Sequence, residues 1–416
     1  MNNIFKPFFS VFGAENTIKE FFISIYFILF GWNLGRKIFD NSIQEFETYF
    51  KEIAGFKFSQ SYGSGRMALF AILKSIDISE GDEVILQAFT CNVVPRAIKS
   101  AGAKPIYIDI DPVTFNMDIK LLSDAISEKT KAVIIQHSFG IPVDTDGIAE
   151  IIGRRDIVII EDCAHSFDSF IDSDRLNIKS FSFFSTDHSK PLNTYLGGLV
   201  CTNSNDFYRG LMNVKPYSKK INRFLGIWIA LSFLIEFITH RPHTYFFAKY
   251  FFAALNYFGL IFKWPDDHLI AQGSEINGLY EMSSFQAKIG ISQLNRIQEN
   301  KDHRIKAFNL MQKSIGWYKK IEPTPVLRYA FLVKNREEFI ASYNDSLVLS
   351  TWFDSAISGG KEIYSEIDFD QSKFPVADFV SKHIINISVT SRVDTRYLEK
   401  YIQQQSNMKL HLVNYK

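Results

Sequence analysis

The stretch FFSTDHSKPLNTYLGG, residues 183–198, holds the side chains best suited to chemistry. Lys190 carries a primary amine, which can add to a carbonyl carbon and, once neutral, take up a proton. Pro191 disfavours helical geometry at the residue before it, so Lys190 is expected in an extended turn at a strand end. Upstream, IVIIEDCAHSF closes an apolar run with Glu161-Asp162. A carboxylate placed there must be paired or hydrogen-bonded, because burying it alone is expensive. Further upstream, YGSGRMALFAIL sets Gly63, Ser64 and Gly65 ahead of an apolar helix, where free N–H groups and the helix dipole favour an anion. Each signal has a plain alternative: a solvated loop lysine, a helix-capping acid and a simple N-cap.

Together the three signals describe one kind of site. Pyridoxal phosphate needs a lysine amine for its Schiff base, an aspartate for its ring nitrogen, and hydroxyls with helix amides for its phosphate. Lys190, Asp162 and Ser185, with the Gly63–Gly65 turn, offer that set. Gly197-Gly198 then lets the backbone pass close to the site before the next strand.

The elements that must position these residues alternate from Asp82 onward. DEVILQAFT, AKPIYIDID, KAVIIQHSFG, DIVIIEDCAHS, SFSFFSTD and GGLVCTN read as short strands. VVPRAIKSAG, DIKLLSDAIS and DTDGIAEIIGRR, between the first four, carry helical spacing. This pattern predicts an α/β fold with a mostly parallel central sheet flanked by helices and a ligand at the strands' carboxyl ends. YAFLV, LVLSTWF and HIINISV predict strands of a smaller C-terminal α+β lobe, closed by a helix at DTRYLEKYIQ.

Composition narrows the partners. A chain of 416 residues with a formal net charge of +1 has no electrostatic footprint for nucleic acid. Cys91, Cys163 and Cys201 are too few and too scattered for a disulfide frame or a zinc site, which suits reduced thiols in the cytoplasm. The 40 phenylalanines beside 18 tyrosines exceed what a soluble core needs.

On the motifs SYGSGRMAL, GDEVILQAFT, AGAKPIYIDIDPVTFNMD, QHSFGIPVD, EDCAHS and FSTDHSKPLNTYLGG, the chain resembles the DegT/DnrJ/StrS nucleotide-sugar aminotransferases. The resemblance implies fold type I, pyridoxal phosphate, a homodimer, a keto-sugar acceptor and an amino acid donor, glutamate by analogy, in amino-sugar and polysaccharide biosynthesis. By residue it implies Lys190 as the Schiff-base lysine, Asp162 at the pyridine nitrogen and His165 near the ring. Ser185, Ser64, Gly65 and Arg66 are implied at the phosphate. Cys91 stands where the family has an aromatic residue against the ring. His137 matches a family histidine read as either structural or functional. NGLYEMSSFQAKIGISQL departs from the family pattern, with Leu279 and Glu281 where Asn and Arg are expected for a phosphate contact across the dimer. Two other readings stay open: a dehydratase, which uses a histidine in place of the lysine and for which His188 is the nearby candidate, and a scaffold without tight cofactor binding.

Three apolar runs do not belong to such a domain: residues 21–32, 224–238 and 245–262, the second preceded by the basic stretch KPYSKKINR. None gives the unbroken run of about 20 apolar residues that a spanning helix needs. With Glu236, Lys249 and Asn256 as interruptions, they suit helices lying in a membrane interface. The expected organisation is an N-terminal helical segment over 1–55 and a cofactor-binding domain over 56–213. A hydrophobic insertion over 214–275 and a dimer-contact helix with the small lobe over 276–416 complete it. The enzyme is expected as a monotopic protein on the inner face of the cytoplasmic membrane, its acceptor lipid-linked or nucleotide-linked.

Overall fold

The computed structural model describes residues 15–31, 39–168, 171–176, 178–241, 244–264, 269–272, 275–343, 349–390, 398–399 and 411–415. The central sheet contains β1 (Phe58–Tyr62), β2 (Glu83–Gln87), β3 (Lys104–Ile108), β4 (Thr130–Gln136), β5 (Val158–Asp162), β6 (Ser180–Thr186) and β7 (Gly197–Thr202). Their order is β1-β7-β6-β5-β4-β2-β3. β7 is antiparallel to both neighbours and the remaining pairs are parallel, so six strands run one way. The six strands read from the sequence are all present. β1, which the sequence reading did not include, is paired residue by residue with β7, from Phe58 against Thr202 to Tyr62 against Gly198.

β-Branched side chains on both faces of the sheet fill two cores. Val84, Ile134, Ile160 and Val200 pack with the helix after β1 on one face, and Ile85, Val133, Ile135 and Ile159 fill the other. That is the burial expected of central parallel strands covered by helices. The C-terminal lobe holds Arg328–Leu332, Leu349–Ser350 and Ile384–Ser388 in an antiparallel sheet with Ile384–Ser388 at its centre. Most of the closing helix predicted at 394–403 lies outside the described residues.

Five helices matter for the site: α1 (Ile18–Phe30), α2 (Gly65–Ser75), α3 (Arg223–Thr239), α4 (Tyr245–Tyr257) and α5 (Ser284–Leu294). A capping box of Thr17 and Glu20 starts α1, and another of Ser283 and Gln286 starts α5. The three apolar runs of the sequence are α1, α3 and α4 with their flanks. α3 buries Ile229, Phe233 and Phe237 against Phe285 and Ile289 of α5, with Phe21 and Phe27 of α1 alongside. α1 and α5 thus supply a core for the buried side of α3. Each fully buried phenylalanine there contributes about 1.5–3 kcal/mol. The outer sides remain apolar and exposed, at Phe22 and Leu29 of α1, Phe224 and Trp228 of α3, and Tyr250 and Phe251 of α4. No described helix is long and apolar enough to cross a membrane.

Candidate active site

The lysine turn begins where β6 ends. Lys190 N–H donates to Asp187 O at 3.0 Å and closes residues 187–190 into a tight turn. Asn193 fixes it from behind: its Nδ2 donates to His188 O at 3.0 Å, and its N–H donates to Gln293 Oε1 on α5 at 2.8 Å. The Lys190 ammonium stands 4.9 Å from the centroid of the Trp352 ring. Burial lowers its pKa, against the pull of Cys91, Asp187 and Asp162 and with help from the Arg328 charge. A buried lysine of lowered pKa is neutral more of the time, as a nucleophile must be.

Asp162 ends the neighbouring strand β5 and is 4 % exposed. It caps no described helix; its Oδ1 accepts the Ala164 N–H at 2.9 Å. Burial pushes its pKa up to about 6, although the Ala164 N–H and the Lys190 charge oppose the rise. His165 is buried beside it, its Nδ1 accepting the Phe139 N–H at 3.1 Å and its ring 4.8 Å from that of Trp352. Burial, then the charges of Lys190 and Arg328, hold its pKa well below the usual value, so the ring is neutral with its proton on Nε2. His137 is elsewhere. Its Nε2 meets Glu161 at 2.9 Å and its Nδ1 accepts the Val143 N–H at 3.2 Å, which is a structural use.

The anion cradle forms where β1 turns into α2. Ser64 is the N-cap, its Oγ accepting the Met67 N–H at 3.2 Å, so its hydroxyl already serves the helix. Ser185 faces the same turn: a Cβ added at Gly65 would lie 2.9 Å from the Ser185 Cβ. Gly198 passes closer still, since a Cβ there would lie 2.5 Å from Gly65 N and from the Ser64 carbonyl carbon. Gly198→Ala is therefore expected to push the cradle apart, costing about 1–3 kcal/mol or more. Thermal melts of the variant check this; an unchanged melting temperature would mean the two segments are free to separate.

Lys190, Asp162, His165, Ser185, Ser64, Gly65, Arg66 and Cys91 all line one cavity of about 550 Å³. The sequence reading missed several groups that share it. Trp352 arrives from the small lobe, with the buried Arg328 guanidinium 4.4 Å from its ring centroid. Arg328 donates to Ser350 Oγ at 2.9 Å and Asn386 Oδ1 at 3.1 Å, and burial pulls its pKa down to about 9. The apolar insertion contributes Glu236, Phe252, Asn256, Phe262, Lys263 and Trp264 to the wall. Glu236 and Asn256 are thus not breaks on a membrane-facing surface, as the sequence reading had them. The Lys249 side chain lies outside the described residues. Leu279 is fully buried in the chain's own core with Tyr62, Met67 and Leu69. An acid inside an apolar run was the visible signal for Glu236; Trp352 had none, because its place depends on docking of the second lobe.

The site therefore combines a depressed lysine amine, a buried carboxyl and a helix N-terminus backed by a serine. Such a set can bind an anion, polarise a ring and carry out amine chemistry. Over 187 residues the chain is 35% identical to the GDP-perosamine synthase of Escherichia coli O157:H7, covering 44% of this chain and 50% of that protein. It is 34% identical over 187 residues to the UDP-2-acetamido-2-deoxy-3-oxo-D-glucuronate aminotransferase of Pseudomonas aeruginosa, covering 44% and 52%. The chain spans about half the length of these curated relatives. Among solved structures it is similar to the Escherichia coli GDP-4-keto-6-deoxy-D-mannose-3-dehydratase with bound hydrated PLP. There the TM-score is 0.67 at 18% identity, covering 97% of this chain and 99% of that one. That likeness is one of architecture, the fold of type I PLP-dependent enzymes. Residues 35–227 match the model of the DegT/DnrJ/EryC1/StrS aminotransferase family.

Proposed function

We propose that the protein is a pyridoxal phosphate-dependent aminotransferase that turns a keto-sugar into an amino-sugar for cell-surface glycan synthesis, with glutamate as donor. The observation that carries this reading is the meeting of Lys190, Asp162 and the Ser64–Arg66 turn in one cavity. The donor set fits the cofactor: Ser185 and the first-turn amides of α2 for the phosphate, the Asp162 carboxyl for the ring nitrogen, and the Lys190 amine for the carbonyl. When bound, pyridoxal phosphate supplies a reactive carbonyl and an electron-withdrawing ring. Asp162 holds a proton on the ring nitrogen, and the Nε2–H of His165 is a donor for an oxygen at the ring edge. Lys190 would hold the cofactor through its carbonyl carbon and, as a free amine, would take and return the proton at the reacting carbon. The walls from the insertion and the small lobe keep water from that carbon.

A dehydratase reading is less well supported. His188 lines the same cavity, but its Nδ1 is engaged with Glu236, 3.0 Å from Oε2, whereas Lys190 offers a primary amine there. The scaffold reading loses its main support as well, since Leu279 has a packing role and Trp352 brings an aromatic ring to the cavity that Cys91 lacks.

The same reading places a homodimer on the inner face of the cytoplasmic membrane, with its acceptor drawn from the bilayer. Its support is that α1, α3 and α4 expose apolar side chains, and that α3 and α4 also contribute Glu236, Phe252 and Asn256 to the cavity wall. Phe224, Tyr257 and Phe258 are 82, 86 and 72 % exposed. Lys219, Lys220 and Arg223 stand exposed at the entrance to α3, placed for anionic headgroups. Full-length protein is expected to sediment with vesicles of phosphatidylglycerol and phosphatidylethanolamine. The combined variant Phe224→Ser, Tyr257→Ser, Phe258→Ser should bind them at least about tenfold more weakly. If the variant instead splits an oligomer and leaves vesicle binding intact, the apolar surface is a subunit interface.

A further inference from the structure

Glu236 sits in the last turn of α3, a helix whose sequence is otherwise mostly apolar, and it is 1 % exposed. Its Oε2 lies 3.0 Å from His188 Nδ1. Burial opposes charge on that imidazole, but Asp187 and then Glu236 outweigh it and hold its pKa up at about 9, so at neutral pH the ring keeps its proton. The second oxygen, Oε1, is buried and has no hydrogen-bond donor among the described residues. Folded proteins rarely leave a buried acceptor unmatched, because it has given up water for nothing.

The carboxylate also lines the cavity that holds Lys190. Around it the insertion places the aromatic rings of Phe252, Phe262 and Trp264, the Asn256 amide and the Lys263 ammonium. Aromatic faces cover the C–H surface of a sugar ring, and a carboxylate takes its hydroxyls, each of which carries one donor hydrogen. The donor amino acid offers an ammonium that the amine chemistry consumes, which leaves a hydroxyl as the lasting partner.

We propose that Glu236 is the hydrogen-bond acceptor for a hydroxyl of the sugar, presented by the apolar insertion and held in place through its other oxygen by His188. His188 stands two residues before Lys190 in the same turn, so the ion pair fixes the carboxylate relative to the reacting amine. The insertion is thereby part of substrate recognition as well as a surface. This inference rests on the keto-sugar reading above.

The test uses full-length protein and small probes without a carrier, so it does not depend on whether the natural acceptor is lipid- or nucleotide-linked. Methyl 3-oxo- and 4-oxo-hexopyranosides are compared with their singly deoxygenated counterparts. Binding is read by tryptophan quenching in cofactor-free protein, since Trp264 and Trp352 line the cavity. Amino transfer is read by return of the cofactor's visible band after prior treatment with L-glutamate. Wild type is expected to prefer one hydroxylated probe over its deoxy partner by about tenfold or more, because a site built for a hydroxyl rejects the analogue lacking it. In Glu236→Met the preference should fall to about twofold or less in both readouts. A Glu236→Met protein that melts normally and keeps the preference overturns the proposal. Should that variant fail to fold, Glu236→Gln is read instead: a drop in preference of threefold or more supports the proposal, and an unchanged one overturns it. If L-glutamate bleaches the visible band of wild type but none of the oxo-hexopyranosides binds or restores it, the sugar reading itself falls, and this inference with it.

Discussion

Lys190→Ala is expected to abolish transamination while leaving the fold intact. Under the proposed function the amine is both nucleophile and proton carrier, and loss of a positioned acid–base group alone costs roughly 10²–10⁴-fold in rate. Among the described residues the other lysine on the cavity wall is Lys263, which is exposed and follows α4. The turn itself should survive, since it is closed through the Lys190 backbone N–H and pinned by Asn193, not by the amine. Circular dichroism should be unchanged and the visible absorbance of added pyridoxal phosphate should lose its lysine-dependent band. A variant that turns over at the wild-type rate would mean that the chemistry lies elsewhere.

Asp162→Asn is expected to change stability and activity in opposite directions. The pKa of Asp162 rises from 3.8 to about 6 in the folded, cofactor-free chain, chiefly through burial. The native state therefore binds the Asp162 proton more tightly than the unfolded state does. Stability from this source is fully present below about pH 4 and is lost as the pH rises to about 6. The shift of about two units corresponds to about 3 kcal/mol, an order-of-magnitude figure. Asparagine keeps the oxygen that accepts the Ala164 N–H and does not titrate. Cofactor-free Asp162→Asn should thus melt higher than wild type at pH 8, with the gap closing toward pH 4. Under the proposed function the same change would remove the charge opposite the ring nitrogen of the bound cofactor, an expected loss of about 2.7–4 kcal/mol, or roughly 10²–10³-fold in rate. Melting curves across this pH range and single-turnover rates check the two halves. A variant that is less stable at pH 8 and still fully active would contradict both.

The parts of the site legible in the sequence are those set by neighbours along the chain. Lys190 before Pro191, the acid pair at the end of β5, and Gly-Ser-Gly before α2 each declare themselves within a few residues, and the alternating strands say that they converge. Gly198 was legible for the same reason, as a glycine pair where backbone must pass close. What could not be read depends on contacts far apart in sequence. Trp352 reaches Lys190 only because the small lobe docks. Glu236 meets His188 across 48 positions, and in the sequence it is simply a charge interrupting an apolar helix. Ser64 was ambiguous for a different reason: its hydroxyl accepts the Met67 N–H as the helix cap, a use that a Gly-Ser-Gly signature shares with anion binding. The apolar runs were visible as runs, but which face would be buried depended on α1 and α5 meeting α3.

The most direct test of the cofactor-site assignment is chemical. Full-length protein is incubated with pyridoxal phosphate, reduced with borohydride, digested and examined by mass spectrometry. The account predicts one phosphopyridoxyl group per chain, on the peptide containing Lys190, and none on the Lys190→Ala variant. Label on another lysine, or no label on a folded wild-type protein, would contradict it.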